Sequence, residues 1–456
     1  MDCSSLPLIG EADIVVCGGG TAGAFAAIAA ADSGCRVLVA EQTGSLGGAA
    51  VNGLVVPMMN TGIPGNPQCS YISRRLHNEL LESGGADASG MNFDPILLEA
   101  ALERLCTDSG VRICFYTTLA DAVTKGNKIS EIVVVNKNGL GRIRGKIFID
   151  ATGDGDLSIR AGAEYTKGDP QTGKNQAVSL RYLVSGIDTE KFGSFIRETV
   201  IKTGGIGADC DANGRISVAC CPGDRWAFAG IFDGAQKNGD LTEDDRIYWQ
   251  GFSVYGRRGC IAFNNPEFFT HNDGTDSDDL TFIRLAGKRA ILRQMSFYRK
   301  YLPGFENAYI SDIASSVGVR ESRNIVTEYV ITAEDLLSRR KFPDCICRSA
   351  YPVDIHGKTL NFSSVTPADD GKPWYELPFR ALAVKGIDNL LVAGRCLGAD
   401  FTAQSSIRVQ HSARASGEAA GIGAALALEH NTAPRFVNGA DVRAVMLERG
   451  ADFGEK

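Results

Sequence analysis

The sequence predicts an α/β protein: a doubly wound, Rossmann-like domain with a β-meander, and a mixed α+β domain inserted into it. Three observations predict this fold. A strand–glycine turn–helix–strand unit opens the chain, a strand and an alanine-rich helix of the same type return near its end, and the long region between them is irregular. The chain has 456 residues, 44% of them hydrophobic, which is enough for two or three domains.

The first unit begins with a short apolar strand. Residues 13–17, Asp-Ile-Val-Val-Cys, are typical of a strand buried in a parallel sheet. The alanine-rich segment Thr21–Ser33 predicts a helix that packs tightly on a sheet, and Gly34 ends it. Residues 36–40 predict a second strand, which Glu41 closes. Together these segments form a βαβ unit.

The rest of the chain alternates between helices, strands and irregular segments. We expect irregular chain over 44–65, helices over 71–83, 95–109 and 280–301, sheet strands over 111–116 and 146–151, and meander strands over 119–124 and 129–136. The late unit predicts a strand over 389–393, a loop over 394–406 and a helix over 407–429. From Asn431 we expect a surface tail with a short helix near 442–447.

This order of elements predicts a discontinuous domain. Its N-terminal part covers residues 1–167 and its C-terminal part covers residues 376–430. The inserted domain, residues 168–375, is expected to carry the substrate side, and residues 431–456 form the tail.

Composition and charge exclude several classes of protein. The net charge of −7 gives no general attraction to a phosphate backbone, so we expect no nucleic-acid partner. No apolar run reaches the roughly 20 residues that cross a bilayer, and the first ten residues lack the pattern of a signal peptide. The 13 cysteines are scattered without zinc spacing, which predicts reduced thiols, a cytoplasmic location and no metal site. Oligomerisation stays open.

A glycine motif, Gly18-Gly19-Gly20-Thr21-Ala22-Gly23, fills the first strand–helix turn. In such a motif the first glycine permits the tight turn, the second lets backbone approach a pyrophosphate, and the third lets the helix pack on the strand. The helix N-terminus, with Thr21 and Ala22, offers N–H groups to phosphates. Glu41, followed by Gln42, is placed to accept hydrogen bonds from ribose hydroxyls. The unit therefore predicts a dinucleotide site.

A second glycine pair favours FAD over NAD as this dinucleotide. Gly47-Gly48-Ala49 follows the second strand almost at once, where a simple NAD domain would begin another crossover. Backbone at such a pair can lie against the ribityl and pyrophosphate region of a flavin. The predicted meander is also typical of flavin-binding folds. The alternative is that the pair belongs to a flexible loop.

Several further motifs carry a resemblance to a known family. They are the first glycine motif with Glu41, Leu46-Gly47-Gly48, Ala151-Thr152-Gly153-Asp154-Gly155-Asp156, Leu391-Val392-Ala393-Gly394-Arg395, and the segments 317–323, 351–356 and 417–421. The sequence resembles the two-dinucleotide-binding-domain flavoproteins, and more narrowly the FAD-dependent oxidoreductases of the GidA-like clan. The resemblance runs from about Asp13 to Leu428.

The resemblance implies FAD as the cofactor and assigns residues to it. Ala151, Thr152 and Gly153, with Asp156 at the end of that motif, would pass over the adenosine–pyrophosphate part. Adenine would be bound through the backbone of Ala122 or Val123. Gly394 and Arg395 would lie at the ribityl chain or pyrophosphate. A helix beginning near Ser406 and Ile407 would direct its N-terminus at the pyrimidine edge of the flavin.

Two residues are candidates for catalysis. His356 follows an apolar, strand-like run, and its imidazole suits proton transfer while a hydride moves. Arg320 could bind an acidic or polyhydroxylated substrate. The alternative for both is a structural role. For Arg323 and His411 we favour the structural interpretation.

These observations predict an FAD-dependent oxidoreductase that transfers a hydride between flavin and a small polar organic substrate. Oxidation of a CH–OH or CH–NH group and reduction of an activated C=C bond both remain open, and the electron donor or acceptor is unknown. Two alternatives are a tRNA-modifying flavoprotein of the same clan and a non-catalytic binding protein on a flavoprotein fold.

Overall fold

The computed structural model describes residues 5–220, 225–356, 371 and 373–454. The strands are β1 (Leu8–Glu11), β2 (Ile14–Cys17), β3 (Val37–Ala40), β4 (Arg112–Cys114), β5 (Thr118–Lys125), β6 (Lys128–Asn136), β7 (Gly139–Arg144), β8 (Ile147–Asp150), β9 (Tyr165–Lys167), β10 (Val178–Ser179), β11 (Tyr182–Ser185), β12 (Ala208–Cys210), β13 (Ile216–Ala219), β14 (Gln250–Ser253), β15 (Ile261–Phe263), β16 (Glu267–Phe268), β17 (Tyr309–Ile313), β18 (Arg323–Ile325), β19 (Cys345–Ser349), β20 (Tyr375–Pro378) and β21 (Leu390–Val392). The helices are α1 (Thr21–Ala31), α2 (Tyr71–Glu82), α3 (Pro95–Asp108), α4 (Asp156–Arg160), α5 (Thr189–Thr203), α6 (Ala229–Lys237), α7 (Glu243–Ile247), α8 (Ser277–Tyr301), α9 (Ala333–Leu337), α10 (Phe401–Ile407), α11 (Gln410–Glu429) and α12 (Gly439–Glu448).

A five-stranded parallel sheet forms the centre, in the order β21-β8-β2-β3-β4. Every residue of β2, β3 and β8 is buried. Helix α1 packs on these strands, and the side chain of Leu38 on β3 lies against Gly10 of β1. This confirms the predicted α/β fold. Strand β21, from near the end of the chain, pairs with β8, so both ends of the sequence build one sheet. The domain boundaries themselves stay a prediction.

The alanine-rich helices α1 and α11 pack against each other with almost no side chain between them. A Cβ atom at Gly417 would lie 2.1 Å from the carbonyl oxygen of Ala22, and one at Gly421 would lie 2.2 Å from that of Ala26. Both distances are far inside van der Waals contact, so only glycine fits at these two positions. The contact joins the C-terminal helix directly to the helix that follows the first glycine motif.

The meander is larger than the two predicted strands. It is a four-stranded sheet in the order β1-β7-β6-β5, with β7 antiparallel to β6 and β1 parallel to β7. The sequence did not reveal β7, because its Gly-Leu-Gly-Arg-Ile-Arg composition has weak strand propensity. A tertiary contact compensates: Arg142 and Arg144 each donate to Glu131 on β6 at 2.7 Å.

The inserted region contains a second sheet, which is antiparallel and has the order β12-β13-β14-β15-β11-β17. The predicted helix over 280–301 is present as α8, and it starts earlier because Asp276 caps it by accepting from Asp278 N and Asp279 N. Stacked aromatic rings, including those of Phe263 and Tyr298 at 4.9 Å, join this helix to the sheet.

The structure corrects the predicted loop over 394–406 and the helix start at Ile407. Helix α10 lies inside that loop, and Asp400 caps it by accepting from Ala403 N at 2.7 Å. The chain then breaks at Val409, which is extended (φ −66°, ψ 156°), and α11 begins at Gln410. Ser406 therefore lies in the last turn of a helix rather than at a helix start.

The segment after Asn431 is not a surface tail. The predicted helix near 442–447 is present as α12, but Val442 and Met446 are fully buried on it. These two residues are one helical turn apart and therefore share one face. Phe453, beyond the helix, is buried as well, and its carbonyl oxygen accepts a hydrogen bond from Arg348 at 2.7 Å. Apolar residues at helical spacing, and not the position of the segment in the chain, explain why this helix packs against the protein.

The α1–α11 contact yields a prediction about stability. Gly421→Ala should lower the free energy of unfolding by about 1–3 kcal/mol, because the new methyl group overlaps backbone of α1. The matched control is Gly234→Ala in α6, where no described heavy atom lies within 4 Å of the added methyl group. That control should be neutral, or stabilising by up to about 1 kcal/mol. Denaturant melts of both variants test this, and equal midpoints would contradict it.

Candidate functional site

Two glycines of the first motif are required by the packing of the protein itself. Gly18 has a φ of +91°, and a Cβ atom there would lie 2.5 Å from the carbonyl oxygen of Ala151. A Cβ atom at Gly23 would lie 1.8 Å from the carbonyl oxygen of Gly18. These contacts hold the end of β2, the start of α1 and the end of β8 together at backbone distance.

Gly20 differs from its neighbours because the packing of the protein does not require glycine there. Its backbone is ordinary (φ −67°, ψ −167°), and the nearest described heavy atom to an added Cβ would be the Cα of Gly48, 3.8 Å away. Within the described residues no side chain caps α1, which starts at Thr21. Open space therefore lies beside a helix N-terminus, which is an arrangement suited to a phosphate group.

The second glycine loop packs directly on the first. The N–H of Gly47 donates to the carbonyl oxygen of Gly19 at 2.9 Å, and Thr21 Oγ1 donates to the carbonyl oxygen of Gly47 at 3.1 Å. Gly48 has a φ of +52°, and a Cβ atom there would be 2.8 Å from the Cα of Gly20. Gly47, Gly48 and the adjoining Ala49 thus form one continuous backbone surface with the first motif.

Glu41 is held by the first glycine turn. Its Oε2 accepts from Gly19 N at 2.6 Å, while its Oε1 accepts from both the N–H and the hydroxyl of Thr43, at 2.7 and 2.8 Å. The side chain is buried, whereas Gln42 beside it is exposed. Both oxygens of the carboxylate thus accept hydrogen bonds from the protein itself, and its contact with a ribose stays a prediction.

The motif after β8 wraps around a buried carboxylate. Thr152 Oγ1 donates to Asp150 Oδ1 at 2.7 Å and accepts from Asp156 N at 2.9 Å. Ser158 donates to the other oxygen of Asp150 through both its N–H and its hydroxyl. These hydrogen bonds order the segment from Ala151 onward, beside Gly18.

Arg395 and Arg323 clamp this same segment. Arg395 Nε donates to the carbonyl oxygen of Gly153 at 2.8 Å, and its Nη2 pairs with Asp154 at 2.6 Å. Arg323 Nη1 pairs with Asp156 Oδ1 at 2.9 Å. The contacts of Arg323 agree with the structural role favoured from the sequence, and the predicted cofactor contacts of Arg395 and Asp156 stay predictions.

Two other groups of predicted cofactor residues lie on neighbouring elements. Ala122 and Val123 are half-buried on β5, next to α4, whose Arg160 donates to the carbonyl oxygen of Ala120 at 2.8 Å. Gly394, with a φ of +83°, follows β21, and a Cβ atom there would lie 2.9 Å from that of Ala22 on α1. Their contacts with a cofactor stay predictions.

The helix N-terminus expected near Ser406 and Ile407 lies a few residues later. Both residues are buried at the end of α10, whereas the long helix α11 starts at Gln410. Gln410 Nε2 donates to the carbonyl oxygen of Val55, in the segment that follows the second glycine loop, at 2.8 Å. The start of α11 therefore adjoins that segment.

His356 and Arg320, the two candidates for catalysis, meet on one carboxylate. Glu267 Oε1 lies 2.7 Å from His356 Nδ1 and 2.5 Å from Arg320 Nη2. Burial raises the pKa of Glu267, but the charge of Arg320 and the contact with His356 outweigh burial, so this pKa lies below its ordinary value. Sequence reasoning missed Glu267, because its position depends on the pairing of β16 with β10.

The same cluster continues to the C-terminal segment. His356 Nε2 lies 3.3 Å from Asp354 Oδ1, and Asp354 Oδ2 accepts from Arg408 Nη2 at 3.0 Å. Burial raises the pKa of Asp354. The hydrogen bond with His356 and the charge of Arg408 lower this pKa by more than burial raises it, so the carboxyl group is ionised at neutral pH. The ring of Tyr248 packs edge-on against His356 at 5.0 Å.

Arg181 borders the cluster and was also missed. It is 8% exposed, and its Nη1 donates to the carbonyl oxygens of Leu54 and Val56 at 3.3 and 3.4 Å. Burial, and then repulsion from Arg320, lowers its pKa to about 9. One signal in the sequence could have found it: Arg181 interrupts the apolar run over 177–184, where a charged residue is rare.

The described hydrogen bond of His411 lies outside this cluster: its Nε2 is 3.0 Å from Ser349 Oγ. Burial, and then the charge of Arg414, lowers its pKa to about 3, so the ring is neutral. This agrees with the packing role favoured from the sequence.

In the described part of the chain, no helix is long and apolar enough to cross a membrane, and no group of three or more acidic, cysteine or histidine side chains could hold a metal ion.

A model of a known protein family matches most of the chain. The family model described as FAD dependent oxidoreductase matches residues 13–446. Thiamine thiazole synthase from Methanococcus aeolicus is 30% identical over 152 residues, which are 31% of this chain and 55% of that protein. The same enzyme from Methanococcus vannielii is 29% identical over 158 residues, 31% of this chain and 56% of that protein. The matched part thus spans only about half of these relatives.

Solved structures resemble the whole chain more distantly. A geranylgeranyl bacteriochlorophyll reductase-like protein from Thermoplasma acidophilum is 13% identical, with a TM-score of 0.47, over 97% of this chain and 84% of that one. L-proline dehydrogenase from P. horikoshii is 12% identical, with a TM-score of 0.42, over 98% and 99% of the two chains. At these scores the similarities support no conclusion about activity.

The open space at Gly20 yields a prediction about dinucleotide binding. Gly20→Val should fold but bind the dinucleotide at least about tenfold more weakly, because the side chain enters space that no described atom fills. Gly23→Ala is the contrast: its methyl group would collide with backbone, so that variant should lose the fold itself. Circular dichroism of the apoproteins and titration with FAD separate the two effects. Equal FAD affinity in Gly20→Val and the wild type would refute the assignment.

Proposed function

Because the chain belongs to the FAD dependent oxidoreductase family, we propose that it transfers a hydride between bound FAD and a small polar organic substrate. The reaction is oxidation of a CH–OH or CH–NH group, or reduction of an activated C=C bond. One observation carries the proposal: a largely buried chain of charged side chains has a histidine at its centre. Arg181, beside this chain, contacts the segment that follows the second glycine loop.

The residues around the first turn fit FAD. The surface formed by Gly19, Gly20, Gly47 and Gly48 consists of backbone only. Gly20, where packing among the described residues does not require a glycine, lies beside the start of α1, which no described side chain caps. A pyrophosphate needs such close backbone approach and free N–H groups. We assign the pyrophosphate to this surface and the ribityl chain to the second loop.

His356 is the residue that we assign to proton transfer. Bound FAD supplies the acceptor or donor of the hydride. When a CH–OH or CH–NH group loses a hydride, its O–H or N–H proton must leave as well, and an imidazole is suited to accept it near neutral pH. Glu267 orients the ring at Nδ1 over 2.7 Å, so we expect the proton to move at Nε2, where the contact to Asp354 is longer.

Arg320 serves this histidine as a positioning residue. Its Nη1 donates to the carbonyl oxygen of Ala177 at 2.8 Å, and its Nη2 donates to Asn264 Oδ1 at 3.3 Å as well as to Glu267. These contacts favour a role in keeping Glu267 ionised and in place over the direct substrate contact expected from the sequence.

The cofactor can be tested directly. The purified protein should be yellow, and acid precipitation should release FAD into the supernatant, because the sequence has no recognisable context for covalent attachment. Anaerobic bleaching against sugars, hydroxy acids, amines and enoates then tests turnover. A colourless protein would contradict the proposal and favour a non-catalytic binding protein, whereas a yellow one that no member of the panel bleaches or reoxidises would contradict hydride transfer to these substrates.

The histidine can be tested by substitution. His356→Gln should retain FAD but slow substrate-driven bleaching by about 10²-fold, because general acid–base catalysis contributes on that order. His271→Gln is the matched control, since His271 also pairs with a carboxylate, Asp279 at 3.0 Å, but is exposed. The control should bleach at the wild-type rate. If His356→Gln also does, then His356 is structural and its assignment is wrong.

A further inference from the structure

Three arginines lie in or beside the charged cluster, and two of them have acidic partners. Arg181 and Arg320 are buried, whereas Arg408 is partly buried. Arg320 pairs with Glu267 at 2.5 Å, and Arg408 pairs with Asp354 at 3.0 Å. Arg181 has no acidic partner among the residues that the structure describes, and its two hydrogen bonds, both long, go to backbone carbonyl oxygens. Among the described side chains of the cluster, three guanidinium charges face two carboxylate charges, which leaves one positive charge in excess.

An unpaired buried arginine is costly to the protein. Arg181 is 8% exposed, and transfer of a cation out of water costs several kcal/mol unless an anion compensates it. Although burial and then Arg320 lower its pKa to about 9, the side chain is still charged at neutral pH. No described residue supplies this anion, which leaves the charge of Arg181 available to an anion from outside the chain.

The position of Arg181 indicates which anion this is. Its two carbonyl acceptors, Leu54 and Val56, belong to the segment that follows the second glycine loop. The charges of Arg320, Glu267 and Arg408 are close enough to shift the pKa of Arg181. Arg181 therefore lies between the segment that we assign to the flavin and the histidine cluster. A substrate that reacts at the flavin next to His356 would pass this guanidinium.

We propose that Arg181 binds a carboxylate of the substrate, which narrows the substrate class to small organic acids: hydroxy acids, amino acids or unsaturated acids. This inference rests on the proposed function and deepens it. A guanidinium offers two parallel N–H groups that match the two oxygens of a carboxylate, whereas a neutral amide or sugar leaves the buried charge uncompensated.

The test measures binding of unreactive acids to the FAD-loaded protein. Propanoate and benzoate are titrated against propanamide and benzamide, and the flavin absorbance spectrum reports occupancy of the site. We expect each acid to bind saturably and at least about tenfold more tightly than its amide, because only the acid pairs with the buried charge. Similar affinities of acid and amide in the wild type would overturn the inference.

Substitutions then ask whether Arg181 is the group responsible. Arg181→Met should raise the dissociation constant of the acids at least about tenfold and leave the amides unchanged, while Arg181→Lys should retain part of the affinity. Arg299→Met is the control, because Arg299 also donates only to a backbone carbonyl, that of Ala308, in its described hydrogen bonds. FAD content and thermal melts verify folding. If Arg181→Met does not fold, the Lys variant decides: weaker binding of the acids supports the inference, and binding as tight as in the wild type overturns the bidentate contact.

A contact of Arg181 with the flavin itself would give a different result. In that case Arg181→Met would shift the reduction potential of the flavin while the acids bound as in the wild type, which would overturn the inference. The proposed function is tested separately by bleaching. The acids could bind through Arg181 while no substrate bleaches the flavin. That result would support the inference and reject the proposal of hydride transfer. If only neutral substrates bleach the flavin, and Arg181→Met does not change the rate, hydride transfer is supported and the inference about Arg181 is rejected.

Discussion

Direct backbone contact around the start of α1 is the constraint on which the rest of the structure depends. The carbonyl oxygen of Gly18 lies where a side chain at Gly23 would be, that of Ala151 closes over Gly18, and that of Ala22 meets Gly417. Strand β2, strand β8, helix α1 and helix α11 therefore converge at one point with no side chain between them. Larger residues there would separate the layers of the fold.

The region between β8 and β21 supplies most of the charged cluster around His356. Arg320, Glu267, Asp354 and His356 itself lie in this region, and Arg408 lies in the turn before α11. Each carboxylate has an arginine and the histidine as neighbours, so burial does not neutralise it. Such a network is stable when its members are paired, so Arg181, which has no acidic partner among the described residues, is informative.

The parts that could be predicted from the sequence are those whose cause is local. The glycine spacing, the apolar strands and the alanine-rich helices each lie within a short window, and the predicted central sheet and α1 are present at nearly the predicted residues. The prediction failed where a distant contact decides. Strand β7 depends on ion pairs with Glu131 on the neighbouring strand. Helix α10 is an exception, because its cap by Asp400 is local and we overlooked it.

By itself, the sequence determined the fold class, the dinucleotide turn and the candidacy of His356, because each follows from residue types at fixed spacing. Only the tertiary structure decided that Gly20, unlike Gly18 and Gly23, borders open space, that His356 and Arg320 share Glu267, and that Arg181 lacks an acidic partner in the described chain. These are contacts between residues up to hundreds of positions apart. Burial and pairing of charge arise only when the chain has folded, so no local pattern encodes them.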